Sequence, residues 1–220
     1  MFFKSNKRKN EGKIKYIVAG LGNPGQKYMY TRHNVGFLAI DYISQKYGFK
    51  IDRVNFKSLY GRTTIESAVT SEENENNSEN NEEDKKFDVL FMKPQTFMNN
   101  SGQSVLEAAL FYKLPVQNIL VISDDVTLPV GKIRIRRSGS DGGQKGLENI
   151  IYNLGSDMFP RIKIGVGDKP HPDFPLERWV LSQIAKDEQK AFFDIFGDVY
   201  EAVDIILKEN DYDKAMNKFN

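Results

Sequence analysis

Between residues 23 and 37 the chain reads NPGQKYMYTRHNVGF, and Asn23, Tyr28, Arg32, His33 and Asn34 crowd carboxamide, phenol, guanidinium and imidazole groups into one short stretch. His33 is one of only two histidines; the other, His171, sits in the proline-rich stretch DKPHPDFP. A lone loop histidine is more often plain surface. Imidazole is nevertheless the side chain whose unperturbed pKa lies near neutrality, which suits a general base. The absence of cysteine excludes a thiol nucleophile, disulfides and cysteine metal sites. No G-x-S-x-G elbow appears, which disfavours a serine hydrolase.

The same region opens with GLGNPG (20–25), which fits the dinucleotide fingerprint G-x-G-x-x-G letter for letter. The chemistry argues against that use. In a dinucleotide site the turn passes straight into a helix whose N-terminal amides face the pyrophosphate. Here Pro24 sits between the glycines, and QKYMYTRH shows no apolar helical face before Val35. Asp41 falls at the distance of a ribose-binding acid but inside a helical pattern.

The elements that must position these groups alternate in type. KIKYIVAGL (13–21), FDVLFMKP (87–94), NILVISDD (118–125) and FPRIKIGVG (159–167) read as strands, and Val54 to Val69 has strand-like composition. VGFLAIDYISQKYG (35–48), NNSGQSVLEAALFYKL (99–114) and QKGLENIIYNL (144–154) read as helices, the second with Asn or Ser near its N-cap. A long amphipathic helix is expected from Ile184 to Leu207. This alternation implies one α/β domain with a largely parallel or mixed sheet, in which ligands bind off the carboxyl ends of strands.

Composition sets the outer bounds. The 220 residues are 40% hydrophobic and 28% charged, with a net charge of +1, so no global charge argument for nucleic acid or membrane is available. No apolar run approaches the roughly 18 residues of a membrane span. Residues 1–12 form a basic stretch without a secretory core, expected to be a disordered tail, with an organelle-targeting or RNA-touching role as alternatives. Residues 70–86 hold seven acidic residues and five Asn with no apolar side chain. Such a segment cannot offset its ordering entropy and reads as a disordered hairpin-type insertion within a domain spanning 13–220.

Charge does cluster locally. KIRIRR (132–137) alternates basic and apolar residues, which places Lys132, Arg134 and Arg136 on one strand face. Between 130 and 147 there are five Lys/Arg against one Asp, and Arg161 and Lys163 add to them. In a nearly neutral chain this is the footprint expected for phosphates.

Four segments in one order carry a resemblance: NPGxxYxxTRHNVGF (23–37), KPxTFMNxSG (93–102), a strand ending in Asp before LPxG (124–131), and a basic strand leading into GGxxGLxxI (142–150). Together they resemble the bacterial-type peptidyl-tRNA hydrolase family, from Lys13 to about Asn220. The resemblance implies a monomeric α/β fold with a twisted mixed sheet. It also implies metal- and cofactor-free hydrolysis of the ester joining a peptide to the 3′ ribose of tRNA, in the cytoplasm and without a membrane or obligate protein partner. By register, His33 matches the general base for water, and Asp124 the acid that orients it. Asp125 is an equally good carboxylate on composition alone; register with LPxG favours Asp124. Asn23 and Asn99 match carboxamides that stabilise the developing oxyanion, although Asn99 could instead be a helix N-cap. Tyr28 matches an aromatic at the tRNA-end site, and Phe97 and Met98 match walls of the peptide channel or, equally, core. Arg136 and Lys163 match a clamp on the acceptor-stem 5′ phosphate, beside Arg134 and Lys145.

The chain departs from the family's usual GGHNGL, writing GGQKGL, so Gln144 and Lys145 stand where His and Asn are usual. Lys145 cannot accept a hydrogen bond and is not assigned the water-positioning role. Ser123 replaces a usual His before the key Asp, and the acidic insertion has no counterpart. The competing reading is a non-catalytic RNA-binding protein of the same fold. Retention of Asn23, His33, Asn99 and Asp124 together argues for catalysis, since RNA binding alone needs none of them.

Overall fold

The computed structural model describes residues 13–68 and 85–220. The expected tail at 1–12 and nearly all of the 70–86 insertion lie outside the described residues, and Lys86 already opens a strand. Seven strands, β1 (Ile14–Gly20), β2 (Arg53–Asn55), β3 (Ser58–Glu66), β4 (Lys86–Pro94), β5 (Ile119–Asp125), β6 (Ile133–Arg136) and β7 (Arg161–Gly165), form one sheet in the order β2-β3-β4-β1-β5-β7-β6. The neighbours β4, β1, β5 and β7 are parallel. The flanking strands β2, β3 and β6 are antiparallel to their partners. Every residue of β5 is buried, as both faces of a central parallel strand must be.

Among the described residues there are six α-helices, α1 (Val35–Tyr47), α2 (Ser101–Tyr112), α3 (Lys145–Leu154), α4 (Leu176–Val180), α5 (Gln189–Glu209) and α6 (Tyr212–Phe219). One face of the sheet packs Val18, Phe91 and Ile122 against Ile40 and Ile43 of α1 and Phe192, Val199 and Val203 of α5. The other packs Ile17, Leu90 and Val121 against Val105 and Ala108 of α2 and Leu147 and Ile150 of α3. Neighbours such as Ile17 and Val18 part to opposite faces through the pleat. Each such aliphatic side chain contributes on the order of 1.5–3 kcal/mol relative to exposure.

From β1 the chain builds β2, β3 and β4 on one side and then crosses to β5 on the other. The carboxyl ends of β4, β1 and β5 therefore open into a crevice at the point where the order reverses. The glycines around β1 serve close backbone packing there. A Cβ on Gly20 would sit 2.2 Å from the Gly36 carbonyl oxygen, and one on Gly36 would sit 2.6 Å from the Ile122 oxygen. Only bare backbone lets the start of α1 descend this far onto β1 and β5, which is the physical use of GLGNPG in this fold.

The last long helix begins at Gln189, later than the amphipathic pattern suggests. Residues 185–188 form a turn in which the Glu188 carboxylate accepts from the Ala185 N–H at 3.0 Å and from Arg32 at 2.7 Å. The open edge at β6 is covered by the Asn220 carboxamide, which accepts from the Ile135 N–H at 2.7 Å and donates to its carbonyl at 3.3 Å. No helix among the described residues is long and apolar enough to cross a membrane.

Candidate active site

The crevice is a cleft of about 670 Å³ lined by Asn23, Tyr28, His33, Phe97, Met98, Asn99, Asp124, Gln144, Lys145 and Lys163, with α4 along one wall. All the expected site residues except Arg134 and Arg136 thus meet in one place. Three strand ends deliver most of them, with Lys145 coming from the start of α3 and Lys163 from β7. Asn23 follows β1, the segment Phe97–Asn99 follows β4, and Asp124 lies at the end of β5.

His33 lies in a 3-10 turn, Arg32–Asn34, that leads directly into α1. Its Nδ1 is 2.8 Å from Asp124 Oδ2, and both side chains are largely out of solvent, at 12% and 3% exposure. Burial alone would push the imidazole pKa down, but the charge of Asp124 and its hydrogen bond outweigh this and raise it. With Nδ1 held by the carboxylate, Nε2 makes no hydrogen bond among the described residues and is the nitrogen left for the cleft. The adjacent carboxylate is engaged elsewhere. Asp125 accepts from the Thr127 N–H and hydroxyl at 2.8 and 2.6 Å and pairs with Lys163 at 3.2 Å. Burial would raise its carboxyl, yet the Thr127 hydrogen bonds and the Lys163 ammonium hold it below the usual carboxylate range. Geometry therefore selects Asp124 over Asp125 as the partner of His33.

Asn23 is fixed on both sides. The buried Asn34 carboxamide accepts from the Asn23 N–H at 2.8 Å and donates to its carbonyl at 3.0 Å. Asn23 Oδ1 accepts the Met98 N–H at 2.8 Å. Since a backbone N–H needs an acceptor, the amide orientation is determined, and Nδ2 is the atom left to donate into the cleft. Asn99 is exposed at the cleft wall. It is not a helix cap: that position before α2 belongs to Asn100, whose side chain makes no capping bond.

Phe97 has φ 60 and ψ 159, a conformation that costs a non-glycine residue of order 1–3 kcal/mol. It is half exposed and meets Tyr28 edge-on, with ring centroids 6.5 Å apart. Met98 is both wall and core: it is 4% exposed and packs in the cluster beneath α2 and α3.

The basic residues divide. Arg134 stands directly opposite Lys163 across the β6–β7 pair, and Arg136 opposite Arg161. Ile133 and Ile135 alternate with them into the core, so Arg134 and Arg136 share the face that adjoins the cleft through Lys163. Arg161 does not belong to this set, contrary to the sequence pattern. It is 1% exposed, and its guanidinium donates to the carbonyls of Gly139, Ser140, Asp157 and Phe159, leaving no donor for a phosphate. It holds the loop between β6 and α3 in place. Lys145, the first residue of α3, reaches the cleft rim and pairs with Glu148 at 2.9 Å. Among the described residues no cluster of three or more His, Asp or Glu could hold a metal ion.

Sequence reasoning gives no role to two further polar residues at this site. Asn34 stood among the crowded polar groups without a role, and Gln144 was visible only as a departure from a pattern. Asn34 meets Asn23 within the one loop that joins β1 to α1, whereas Gln144 reaches Asp124 and Met98 across different strand ends and so has no local sequence signal.

Comparison with known proteins gives a consistent result. A family model described as peptidyl-tRNA hydrolase matches residues 17–220. The peptidyl-tRNA hydrolase of Caldanaerobacter subterraneus subsp. tengcongensis is 45% identical over 205 residues, covering 93% of this chain and 99% of its own. That of Clostridium acetobutylicum is 43% identical over 205 residues, covering 93% and 97%. The crystal structure of peptidyl-tRNA hydrolase from Acinetobacter baumannii superposes with a TM-score of 0.75 at 28% identity, covering 96% of each chain.

Proposed function

The chain belongs to the peptidyl-tRNA hydrolase family, and on that footing we propose how its own residues hydrolyse the ester between a peptide and the 3′ ribose of tRNA. The observation that carries the reading is the His33–Asp124 pair at 2.8 Å, set against the inward-facing carboxamide of Asn23. Asp124 holds Nδ1 of the imidazole and leaves Nε2 as the base. Nε2 takes a proton from water as its oxygen adds to the ester carbonyl carbon. The carbonyl oxygen becomes an oxyanion, which accepts from Asn23 Nδ2 and the Asn99 carboxamide. The intermediate collapses by breaking the bond to the ribose oxygen, which leaves with the proton held on His33. The products are a peptide carboxylic acid, which gives up its proton to water, and tRNA with a free 3′ hydroxyl. Asp124 stabilises the imidazolium between the two proton transfers.

Tyr28 and Phe97 form an aromatic corner for the end of the tRNA, and Phe97 with Met98 walls the peptide side. Arg134, Arg136 and Lys163 hold acceptor-stem phosphates, with Lys145 adding charge at the rim. We take residues 13–220 as the hydrolase domain, acting as a monomer without cofactor. It works in the compartment where translation releases peptidyl-tRNA, which we take to be the cytoplasm. The test is hydrolysis of an N-blocked aminoacyl-tRNA by purified protein in EDTA, beside the unblocked aminoacyl-tRNA. Cleavage restricted to the blocked ester supports the reading. Salt-sensitive tRNA binding without cleavage would favour the RNA-binding alternative.

A further inference from the structure

Gln144 is a buried side chain that touches three walls of the cleft at once. Its Oε1 accepts the Leu147 N–H at 2.8 Å and so caps α3. Its Nε2 donates to Asp124 Oδ1 at 3.0 Å and lies 3.1 Å from Met98 Sδ. The orientation is forced, because the Leu147 N–H requires an acceptor and the Asp124 carboxylate offers only acceptors. Asp124 thus carries one donor on each oxygen, His33 on Oδ2 and Gln144 on Oδ1. Packing keeps the amide there: a Cβ on Gly146 would sit 2.6 Å from Met98 Sδ and 3.0 Å from Gln144 Oε1, so a side chain at Gly146 would displace it.

We propose that Gln144 is a positioning residue for the His33–Asp124 pair, a neutral donor fixed to the start of α3 that orients the Asp124 carboxylate and limits the negative charge His33 feels. This rests on the hydrolytic role proposed for His33. Two physical effects follow. Rotation of a carboxylate about its terminal torsion is soft, and a donor on Oδ1 holds Oδ2 aimed at the imidazole. A donor also stabilises the anion without adding charge, so its loss leaves Asp124 more strongly attracted to a protonated His33 and takes the base out of use at neutral pH. The remaining charged groups facing the cleft are occupied or distant in bonding terms. Asp125 pairs with Lys163, Lys145 with Glu148, and Arg32, next to His33, with Glu188. Glu177 of α4 lines the cleft, and neither it nor the others is hydrogen-bonded to His33 or Asp124.

The chain's two histidines make the test direct. In a His171→Gln background His33 is the single imidazole, and its ring proton resonances report its titration without substrate. Gln144→Glu keeps the acceptor for the Leu147 N–H but sets a second carboxylate against Asp124. Gln144→Met removes donor and cap together at similar length. In both, the His33 midpoint should rise, by about one pH unit or more in Gln144→Glu, and the acid limb of kcat/KM should move with it. A role confined to capping α3 would lower the unfolding midpoint of Gln144→Met and leave the His33 titration in place. An unmoved or lowered midpoint in whichever variants fold overturns the proposal. Because the titration needs no substrate, failure of wild-type hydrolysis would count against the assigned reaction and leave this result to stand on its own.

Discussion

His33 Nδ1 and Asp124 Oδ2 lie 2.8 Å apart although 91 residues separate them in the chain. The sheet order explains the meeting. β1 and β5 are direct neighbours, the Leu21 N–H bonds to the Ile122 carbonyl at 2.8 Å, and the glycine contacts at Gly20 and Gly36 lower the start of α1 onto that seam. An imidazole from one strand end is thereby set against a carboxylate from the next.

The two neighbouring acids should separate cleanly. Asp124→Asn removes the carboxylate that orients His33 and stabilises its cation, and should lower kcat on the order of 10²- to 10⁴-fold. Asp125→Asn releases Lys163 and should leave kcat within about three-fold, since nothing in its contacts touches the base. Steady-state kinetics on both variants checks this, and equal losses would mean that the pair acts as one unit.

Activity and stability should run in opposite directions with pH. The folded-state pKa of His33 is raised above its ordinary 6.5. The charged pair with Asp124 therefore adds stability that is fully present below about 6.5 and is lost as pH rises through the higher folded value. Over that same window the imidazole becomes neutral and kcat/KM should climb. Urea midpoints against pH for the wild type and His33→Ala, beside the pH–rate profile, read both halves.

Arg136 and Arg161 face each other in the β6–β7 register but should fail in different assays. Arg136→Ala should raise KM with little change in kcat and flatten the salt dependence of log KM by about 0.7–0.9 per lost phosphate contact. Arg161→Ala removes the guanidinium donors to the carbonyls of Gly139, Ser140, Asp157 and Phe159, of which that of the buried Phe159 is least able to turn to water. It should cost about 1–3 kcal/mol of folding stability, measured by urea denaturation.

Asn23→Asp tests which atom of that side chain works. A carboxylate still accepts the Met98 N–H, so the loop should keep its place. Losing the Nδ2 donor and adding charge beside the oxyanion should lower kcat by at least about 10²–10³. An unchanged thermal midpoint with that loss would assign the effect to catalysis.

Much of this was legible in the sequence, and the failures share a cause. The strands around β1, β4, β5 and β7 are apolar runs whose type is local information, and the order of polar motifs placed His33, Asn23 and Asp124 at their ends. Composition groups Arg161 with the surface charges because it counts charges without showing where they point: its strand neighbours alternate as a surface strand would, but the loop between β6 and α3 folds over it. Asn99 and Asn100 are interchangeable as caps by composition, and only backbone geometry separates them. Gln144 acts across loops from separate strand ends, so no spacing rule reveals it, and Asn34 binds the Asn23 backbone inside one loop through a contact that composition does not single out. The start of α5 was anticipated too early because Ile184 fits the helical period, while the Glu188 carboxylate closes a turn there instead.

The central claim is that His33 is the base and that its removal spares substrate binding. The direct measurement is single-turnover hydrolysis of an N-blocked aminoacyl-tRNA by wild type and His33→Ala, with tRNA affinity measured on the same preparations. A loss on the order of 10²–10⁴ in rate with unchanged affinity is the predicted result. Undiminished hydrolysis in His33→Ala would contradict the account.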